Sequence, residues 1–341
     1  MSDDRDTRSV DAPDGQPSDY DVVVVGGGPA GCSAGVFTAR YGLDTVIFDR
    51  GISSLRRCAY LQNYLGFPAG IDIETFYALA QDHAETAGCA VVDDLVESVE
   101  RAGEDFVVEP QTGESVTADR VIAATRQDGE YLRGLDDDTA MFETHEHDGE
   151  EHEHFDRDYA DADGRTPIDG LYIASPTGER DVQAIVAAGQ GAHVARTLLA
   201  DSRQQQGYPE GILANRYDWL RPDAEFEGEW GNRERWREWF DSEVPDDTET
   251  SADRLDELRK ATIDRAFETH RSDDDIERLT TEGHRRLAEH LDPDIVAAVV
   301  DDQRVIAQVD DETLLDAVDD ERIRSYLTAK ADAAGVSADQ Q

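Results

Sequence analysis

The sequence predicts an α/β domain, with a parallel sheet and a small antiparallel β insertion, followed by an all-α C-terminal domain. Val22–Val25 is a short apolar run that ends at glycines, as expected for a strand buried on both faces of a parallel sheet. A helical pattern over Pro29–Tyr41 and a second strand over Thr45–Asp49 complete a βαβ unit. Residues 208–335 contain amphipathic stretches and no convincing strand.

The remaining elements follow from periodicity and turn residues. Helices are predicted over Ile73–Ala87 and from Val182 to Leu199, the second followed by a glutamine linker at 204–206. A hairpin is predicted around the turn at Thr112-Gly113. Further buried strands are predicted at Val121–Thr125 and Leu171–Ser175, and N-caps of C-terminal helices at Ser251, Ser272 and Asp292.

These elements predict a division of the chain into four parts. We expect a disordered tail over 1–18, because that segment is polar, acidic and rich in proline and glycine. The α/β domain is predicted over 19–135 and 165–202, interrupted by an acidic, His-rich loop at 136–164. The helical domain is predicted over 203–341.

The charge of the chain is extreme. The 341 residues include 78 acids and 32 bases, for a net charge of −46, and only Lys260 and Lys330 are lysines. This excludes binding to nucleic acid or to an anionic membrane, because phosphates would be repelled. The acids are spread along the whole chain, which resembles proteins of extremely halophilic archaea; an acidic partner-binding surface is the alternative. In about 1 M salt the Debye length is ~3 Å, so self-repulsion is screened.

The sequence also predicts a soluble, cytoplasmic protein. No apolar run approaches the ~20 residues that span a bilayer, and the N-terminus is acidic where a signal peptide is basic and then apolar. The three cysteines, Cys32, Cys58 and Cys89, form no CxxC and are too few for a disulfide framework.

A glycine fingerprint follows the first strand. In the segment 26–31, Gly26 permits a tight turn, Gly28 allows the backbone to approach a pyrophosphate, and Gly31 allows close packing of helix on strand. The helix N-terminus supplies N–H donors for that pyrophosphate. Asp49 ends the next strand, where an acid binds a ribose hydroxyl. A Rossmann-like dinucleotide site is therefore predicted, with Pro29 and Ala30 between its glycines.

Four motifs occur in order over about residues 19–202, with one gap. They are YDVVVVGGGPAGCSAG, LQNYLGFPAGIDIETF, ADRVIAATRQDGEYLRGL and the segment from Asp161 to Ala195. Together they resemble the FAD domain of the thioredoxin reductase family, where they are similar, in that order, to the opening, the "ENYPGFP" segment, the "VIIATGA" strand and the closing FAD motif. The resemblance implies FAD as cofactor, with Asn63, Thr125, Gln183 and Ala184 joining the fingerprint residues in its site.

The resemblance also has a gap and two departures. Only about thirty residues separate Leu135 from Arg165, where the family has an NADPH-binding domain and its CxxC. The family's "GD" reads Ser175-Pro176, so the acid expected at the ribityl chain is replaced, and Asp181 is a candidate substitute. Its "ATG" ends in Arg126. By resemblance, the helix beginning near Gln183 faces the pyrimidine edge of the flavin, where its dipole stabilises the anionic reduced form.

Other candidate residues admit two interpretations each. Cys58 is a weak catalytic candidate, because Arg56 and Arg57 favour a thiolate there; a spectator thiol is the alternative. Cys32 and Cys89 are expected in the core. Four histidines alternate with acids in a pattern that can bind zinc or nickel, but a solvated loop without metal is expected. These four are His145, His147, His152 and His154.

One histidine on the closing helix and the four tryptophans are also candidates. His193 is expected to be a packed core histidine. The four tryptophans are expected to pack within the helical domain, with a surface that covers the flavin or docks a redox partner as the alternative. Trp236 and Trp239 should share a helix face because they are three residues apart. The other two are Trp219 and Trp230.

Two functional hypotheses follow. The first is an FAD-dependent oxidoreductase whose electron donor is not bound by a dedicated NAD(P)H domain, with a small molecule or a protein as redox partner and a homodimer as one possible assembly. The second is a non-catalytic flavin- or nucleotide-binding protein that acts as a sensor or assembly subunit. The sequence shows no match to the family's nucleotide domain, redox dithiol or ribityl acid, which favours the second hypothesis. The preserved closing helix favours the first.

Overall fold

A computed structural model describes residues 19–126, 128–147, 150–156, 158–175, 183–213, 219–223, 228–300 and 320–336. By its internal contacts the chain divides into two compact units, Met1–Thr281 and Glu282–Gln341. This division lies within the predicted helical region 203–341, and the predicted domain limits themselves stay predictions.

The first unit is built on a mixed sheet whose parallel part confirms the expected α/β class. Strands β1 (Tyr20–Val25), β2 (Thr45–Phe48) and β3 (Ala90–Val92) pair in parallel in the order β3-β2-β1. Helix α1 (Pro29–Arg40) connects β1 to β2, and helix α2 (Ile73–Ala87) precedes β3. The bounds of α2 are those predicted, because Asp72 caps its N-terminus and Gly88 ends it in the left-handed conformation.

The other side of β1 is formed by a strand that changes partner along its length. Strand β6 (Val116–Ala123) pairs in parallel with β1 from Ala118 onward, and with β9 (Leu171–Ile173) at its C-terminal end. Its first residues pair antiparallel with β5 (Asp105–Pro110), which pairs with β4 (Val96–Ala102). The predicted hairpin arm and the predicted strand at 121–125 are therefore one strand, and β4 was missed.

Both faces of the sheet are buried, which explains the run of four valines in β1. Val22 and Val24 pack on one face with α1 and α4 (Ala184–Gln205), whereas Val23 and Val25 pack on the other. Helices α1 and α4 are in close contact, because a Cβ on Gly191 would lie 2.0 Å from the carbonyl oxygen of Ala30. Helix α4 continues to Gln205, so the predicted glutamine linker is wrong.

The predicted loop at 136–164 contains regular structure. A short helix α3 (Asp138–Met141) leads into strands β7 (Phe142–His147) and β8 (Glu150–Phe155), which pair antiparallel. The expectation of a loop is wrong here because it rested on composition: apart from its two phenylalanines, the hairpin has no apolar alternation.

The helical part of the first unit packs on a small core of its own. It contains α5 (Glu210–Leu213), α6 (Arg233–Glu243) and α7 (Ala252–Glu268), whose buried centre is Ile212, Phe240 and Leu258. Ser251 caps α7 as predicted, since its Oγ accepts a hydrogen bond from the backbone N–H of Arg254. Two-residue strands β10 (Arg221–Pro222) and β11 (His270–Arg271) pair in a region where no strand was expected.

Helix α8 (Asp273–Glu289) begins after Ser272, whose Oγ accepts from the N–H of Asp275. In the second unit, α9 (Pro293–Val300) begins after Asp292 and α10 spans Asp320–Val336. Both N-cap predictions are confirmed. Within the ranges given above, no helix is long and apolar enough to cross a membrane.

Candidate functional site

The glycine turn between β1 and α1 has the geometry that the fingerprint requires. Gly26 has a φ of +108°, and a Cβ there would lie 2.9 Å from the carbonyl oxygen of Ala124. A Cβ on Gly31 would lie only 1.7 Å from the carbonyl oxygen of Gly26. Gly28, by contrast, has space, because its Cβ would meet only Ser53 Oγ at 3.5 Å. Gly26 and Gly31 are thus required by the fold, whereas Gly28 leaves a cradle beside the helix N-terminus.

Asp49 lies at the end of β2, directly against this turn. Its side chain is buried, with Oδ1 accepting from the backbone N–H of Gly51 at 3.0 Å and Oδ2 accepting from Gln81 Nε2 at 3.2 Å. A Cβ on Gly27 would lie 2.4 Å from that of Asp49, so the two segments touch. The carboxylate is therefore held in a fixed position beside the glycine turn.

Two cavities meet at this turn. The larger, of about 660 Å³, is lined by Gly26, Gly28, Asp49 and Thr125, which the sequence assigned to one site. The smaller, of about 300 Å³, is lined by Pro29, Ala30 and Ala184. Both cavities are also lined by a common set of residues, which we call the junction: Gly28, Ser53, Ser54, Arg57, Ala124 and Arg126.

Arg126 occupies the junction in an unusual backbone conformation. Its φ is +66°, in the left-handed region that costs a residue with a Cβ roughly 1–2 kcal/mol. The conformation is held by a hydrogen bond from its backbone N–H to Ser175 Oγ at 2.8 Å. Its guanidinium donates a hydrogen bond to Ser54 Oγ at 2.8 Å, and Ser54 also lines both cavities. The position that is glycine in the resembling family thus keeps the glycine conformation but carries a cationic side chain.

The electrostatics of the two cavities differ. Arg57 and Arg126 line both cavities. The larger cavity is also lined by acids, whereas the smaller has none; these acids are Asp49, Asp94, Glu97, Asp128 and Glu130. Among the residues that the structure describes, no carboxylate lies within 4.0 Å of either guanidinium. Two arginines without an acidic partner among the described residues, in a chain of charge −46, favour an anionic ligand at the junction.

Sequence reasoning noted Arg126 only as a departure and missed the junction. A signal was present: Gly51–Ile71 contains no Asp or Glu although acids are 78 of the 341 residues. The segment supplies Ser53, Ser54 and Arg57 to the junction.

Residues expected near the flavin ring come together only in part. Asn63 Nδ2 donates to Gln183 Oε1 at 2.9 Å, which ties the segment before α2 to the N-cap of α4. Ala184 lines the smaller cavity. The Ser175 hydroxyl accepts the Arg126 N–H, while Pro176 and Asp181 lie outside the described residues.

A hydrogen bond with the buried Tyr131 holds the Thr125 side chain in place. Its hydroxyl donates to the carbonyl oxygen of Asp128 and lies 2.8 Å from the hydroxyl oxygen of Tyr131. Burial raises the pKa of Tyr131, so its hydroxyl stays protonated and donates to Thr125 Oγ1. On the same wall, Arg50 and Asp128 form an ion pair at 2.6 Å.

The three cysteines fall into two classes. Cys32 and Cys89 are buried, as predicted, and burial is the main cause that raises the pKa of each to about 12. Cys58 is exposed and lines the smaller cavity. Its neighbour Arg56 stacks over the ring of Tyr77, 4.6 Å from the centroid. A catalytic role for Cys58 stays a prediction.

His193 is not a core residue, so that expectation is wrong. Its side chain is 50% exposed and its Nε2 lies 2.8 Å from Asp163 Oδ1. It is exposed because it lies on the solvent side of α4, where the neighbouring Arg165 pairs with Asp201 at 2.7 Å. These contacts attach the segment before β9 to the surface of α4.

Among the residues whose side chains the structure describes, no group of three or more His, Cys, Asp and Glu forms a metal site.

The tryptophans divide between core and surface. Trp236 stacks edge-on with Trp239, with centroids 5.6 Å apart, as expected from their spacing on α6. Trp239 packs against the small helical core, whereas Trp219 is 65% exposed.

Part of the chain is similar to known proteins. Residues 20–169 match the model of the pyridine nucleotide-disulphide oxidoreductase family. The thioredoxin reductase of Rickettsia typhi is 28% identical over 113 residues, which are 33% of this chain and 36% of that protein. The thioredoxin reductase of Listeria monocytogenes is 42% identical over 50 residues, 14% of this chain and 16% of that protein. The chain thus spans about a third of the length of the Rickettsia relative.

Solved structures give similar matches. A thioredoxin reductase from T. acidophilum aligns with a TM-score of 0.42 and 20% identity over 54% of this chain and 99% of that one. One from Gloeobacter violaceus aligns with a TM-score of 0.43 and 17% identity over 55% of this chain and 95% of that one.

The family match also confirms the expected cofactor, since proteins of this family are FAD-binding flavoproteins. The cradle beside Gly28, the fixed Asp49 carboxylate and the cationic junction fit an adenine dinucleotide with two phosphates. Residues 20–169, somewhat less than half of this chain, are therefore similar to the pyridine nucleotide-disulphide oxidoreductase family.

Proposed function

We propose that the protein is an FAD-dependent oxidoreductase whose electron donor is not held by a dedicated NAD(P)H domain. The observation that supports this most is the continuity of the two cavities at Gly28, between the fixed Asp49 carboxylate and the N-terminus of α4. The flavin supplies the redox chemistry, and the residues of this chain bind it, orient it and control access to it.

In this proposal the larger cavity holds the adenosine half. The Asp49 carboxylate keeps acceptor capacity for a ribose hydroxyl, because each of its oxygens receives a single described hydrogen bond. Its burial fixes the direction of that contact. Thr125, held by Tyr131, forms part of the facing wall.

The junction holds the two phosphates. The N-terminus of α1 presents backbone N–H groups on one side. Arg126 and Arg57 supply positive charge in the same part of the cleft, where Gly28 leaves room for the ligand backbone. A phosphate here would receive the hydrogen bond that the Arg126 guanidinium now gives to Ser54.

The smaller cavity takes the flavin half, with the N-terminus of α4 at its end. The helix dipole there favours negative charge on a nearby group. Asn63 holds Gln183, the N-cap residue, through the 2.9 Å hydrogen bond and so positions the helix terminus. Cys58 on the same cavity wall is the candidate for thiol chemistry with a bound substrate.

The electron donor is proposed to dock rather than to occupy a second nucleotide domain. Between Leu135 and Arg165 the described residues form α3 and the β7–β8 hairpin. A single βαβ unit already takes ≈ 30 residues or more, so an interval of about thirty residues is too short for a βαβαβ nucleotide-binding domain. A small molecule or a redox protein is the proposed donor, and the exposed Trp219 marks one surface for such docking.

One observation favours a second candidate, a flavin-binding protein without turnover. The Ser175 hydroxyl is engaged by Arg126, and the next position is proline where the resembling family has its acid. A protein that binds FAD in high salt but is reduced by no small-molecule or protein donor would fit this candidate and not the oxidoreductase.

We further propose adaptation to high salt, with the protein in the cytoplasm. The support is the net charge of −46, the thirty arginines against two lysines, and the many short surface pairs between arginine and acid, such as Arg233 with Asp264. Assembly as a homodimer stays a proposal.

FAD binding through the cradle is tested by Gly28→Val. The variant should fold, because its Cβ meets only Ser53 Oγ at 3.5 Å, but it should lose stoichiometric FAD as measured by the flavin spectrum of protein purified in molar KCl. Gly31→Ala is the matched control: its Cβ would lie 1.7 Å from the Gly26 oxygen, so it should lose structure as well as flavin. Wild-type protein that takes up no FAD would refute the assignment.

A further inference from the structure

A buried tyrosine beside the junction has a hydroxyl group without a hydrogen-bond partner. Tyr77 lies on α2 and is only 3% exposed, and among the described residues nothing donates to or accepts from its hydroxyl oxygen. A buried polar group in this state costs free energy, and folded proteins mostly avoid it. The proposed flavin site does not use this hydroxyl group.

The ring of Tyr77 packs against the segment that supplies the junction. The guanidinium of Arg56 lies over the ring, 4.6 Å from its centroid. Arg56 belongs to the 3-10 turn Ser54–Arg57, and Ser53 is the residue that caps this turn. Tyr77 is therefore placed against a turn whose cap residue lines both cavities.

The same face of α2 also contacts the carboxylate of the cleft. Gln81 is four residues after Tyr77, so the two side chains lie on one face of the helix. The Nε2 of Gln81 donates to Asp49 Oδ2 at 3.2 Å. This face of α2 thus supports the cleft at two places, the Asp49 carboxylate and the turn that Ser53 caps.

The Ser53 hydroxyl is close both to the cleft and to Tyr77. Its oxygen would lie 3.5 Å from a Cβ on Gly28. It accepts a long hydrogen bond of 3.4 Å from the backbone N–H of Leu55, and no described hydrogen bond uses its proton. Burial raises the pKa of Tyr77, and the neighbouring Ser53 hydroxyl lowers it in part. Tyr77 therefore stays protonated and is able to donate a hydrogen bond.

The larger cavity contains a completed example of this arrangement. Tyr131 is buried, and its hydroxyl oxygen lies 2.8 Å from that of Thr125. The proton of Thr125 already has an acceptor in the carbonyl oxygen of Asp128, which leaves the Thr125 oxygen free to accept from Tyr131. The pair of Ser53 and Tyr77 differs because no described residue accepts the Ser53 proton. The second pair therefore lacks an acceptor on its cleft side.

We propose that Tyr77 is a positioning residue for the bound phosphates: the Ser53 hydroxyl donates its proton to a phosphate oxygen at the junction and accepts a hydrogen bond from Tyr77. This inference rests on the phosphate position given under the proposed function. Hydrogen bonds in a chain strengthen one another in a low-dielectric interior, so each of the two bonds favours the other. The cost of the unpartnered hydroxyl is present in the ligand-free protein and is relieved on binding.

The test uses the full-length protein freed of flavin and measures its thermal unfolding and its affinity for FAD and for ADP in molar KCl. ADP carries the adenosine and both phosphates without the flavin. Tyr77→Phe should raise the dissociation constant of each ligand about three- to tenfold, the range of one hydrogen bond. The melting temperature of the ligand-free variant should equal or exceed that of the wild type, because the substitution breaks no described hydrogen bond.

Tyr172→Phe is the matched control. Tyr172 is also buried, but its hydroxyl donates to Asp201 Oδ2 at 3.0 Å, and it lines neither of the two cavities. This variant should lower the melting temperature of the ligand-free protein and leave both affinities unchanged. The two tyrosine variants should therefore show opposite patterns.

Ser53→Ala tests whether Tyr77 acts through Ser53. It should weaken the binding of both ligands, and Tyr77→Phe in the same chain should then weaken it no further. Losses of affinity that add, an unchanged affinity of Tyr77→Phe, or a melting temperature lowered as much as in Tyr172→Phe would each overturn the inference.

The two ligands separate this inference from the proposed function. A wild type that binds ADP but not FAD would refute the proposed flavoprotein, and the effect of Tyr77→Phe on ADP would still decide the role of Tyr77. A wild type that binds FAD with the same affinity as Tyr77→Phe would overturn the role of Tyr77 alone. A wild type that binds neither ligand would refute both.

Discussion

Replacement of Arg126 by glycine should stabilise the protein and weaken its FAD binding at the same time. Arg126 has a φ of +66°, which costs a residue with a Cβ roughly 1–2 kcal/mol. Glycine removes that strain. Its greater conformational freedom in the unfolded chain, however, lowers the free energy of unfolding by ~0.5–1 kcal/mol. The net expectation is a gain of about 0.5–1 kcal/mol in the free energy of unfolding of the flavin-free protein.

The effect on FAD follows from the lost guanidinium. A hydrogen bond to a charged group contributes ~1.5 kcal/mol, so Arg126→Gly should raise the dissociation constant for FAD about tenfold. Both quantities are measured in molar KCl, the first by thermal unfolding and the second by flavin fluorescence titration. Arg126→Ala is the matched control, because it removes the same guanidinium but keeps the Cβ at a positive φ. It should lose affinity without gaining stability.

The reasoning is refuted if Arg126→Gly binds FAD as tightly as the wild type or more tightly. In that case the guanidinium that bridges to Ser54 would obstruct the cleft, and the phosphates would not lie at the junction.

Two other predictions concern stability. Circular dichroism should show loss of structure as KCl falls from molar to dilute, because a net charge of −46 is then unscreened; a thermal midpoint insensitive to salt would contradict the halophilic interpretation. The hydrogen bond from His193, followed by the charges of His193 and Arg165, lowers the pKa of Asp163 below its ordinary 3.8. Its stabilisation is therefore present above pH ~4 and lost as pH falls through the lowered value. Asp163→Asn should lower the melting temperature at pH 7 and differ less from the wild type near pH 3; an equal difference at both pH values would refute this.

Local signals in the sequence were sufficient for the elements that position the cradle. The valine run, the glycine turn and the helical periodicity predict β1, α1 and α2 to within two residues, because each depends on local backbone chemistry. Ser251 and Asp292 marked helix starts for the same reason.

The missed features depend on long-range contacts. Strand β6 pairs with β5 at one end and β9 at the other, and no local pattern records such a change of partner. The β7–β8 hairpin is held by Phe142 and Phe155 at its base, so its polar outer part resembled a loop. The left-handed conformation of Arg126 depends on Ser175, 49 residues away in the sequence.

The most direct test of the central claim is anaerobic stopped-flow reduction of the FAD-loaded protein by NADPH or NADH. Efficient hydride transfer requires the nicotinamide to be held about 3–3.5 Å from the flavin, and this positioning supplies ~7–11 kcal/mol of the barrier. The proposed oxidoreductase has no dedicated segment for that task, so flavin bleaching should be slow and should not saturate with nucleotide concentration. Rapid, saturable bleaching would contradict the account and would indicate a compact NAD(P)H-dependent reductase.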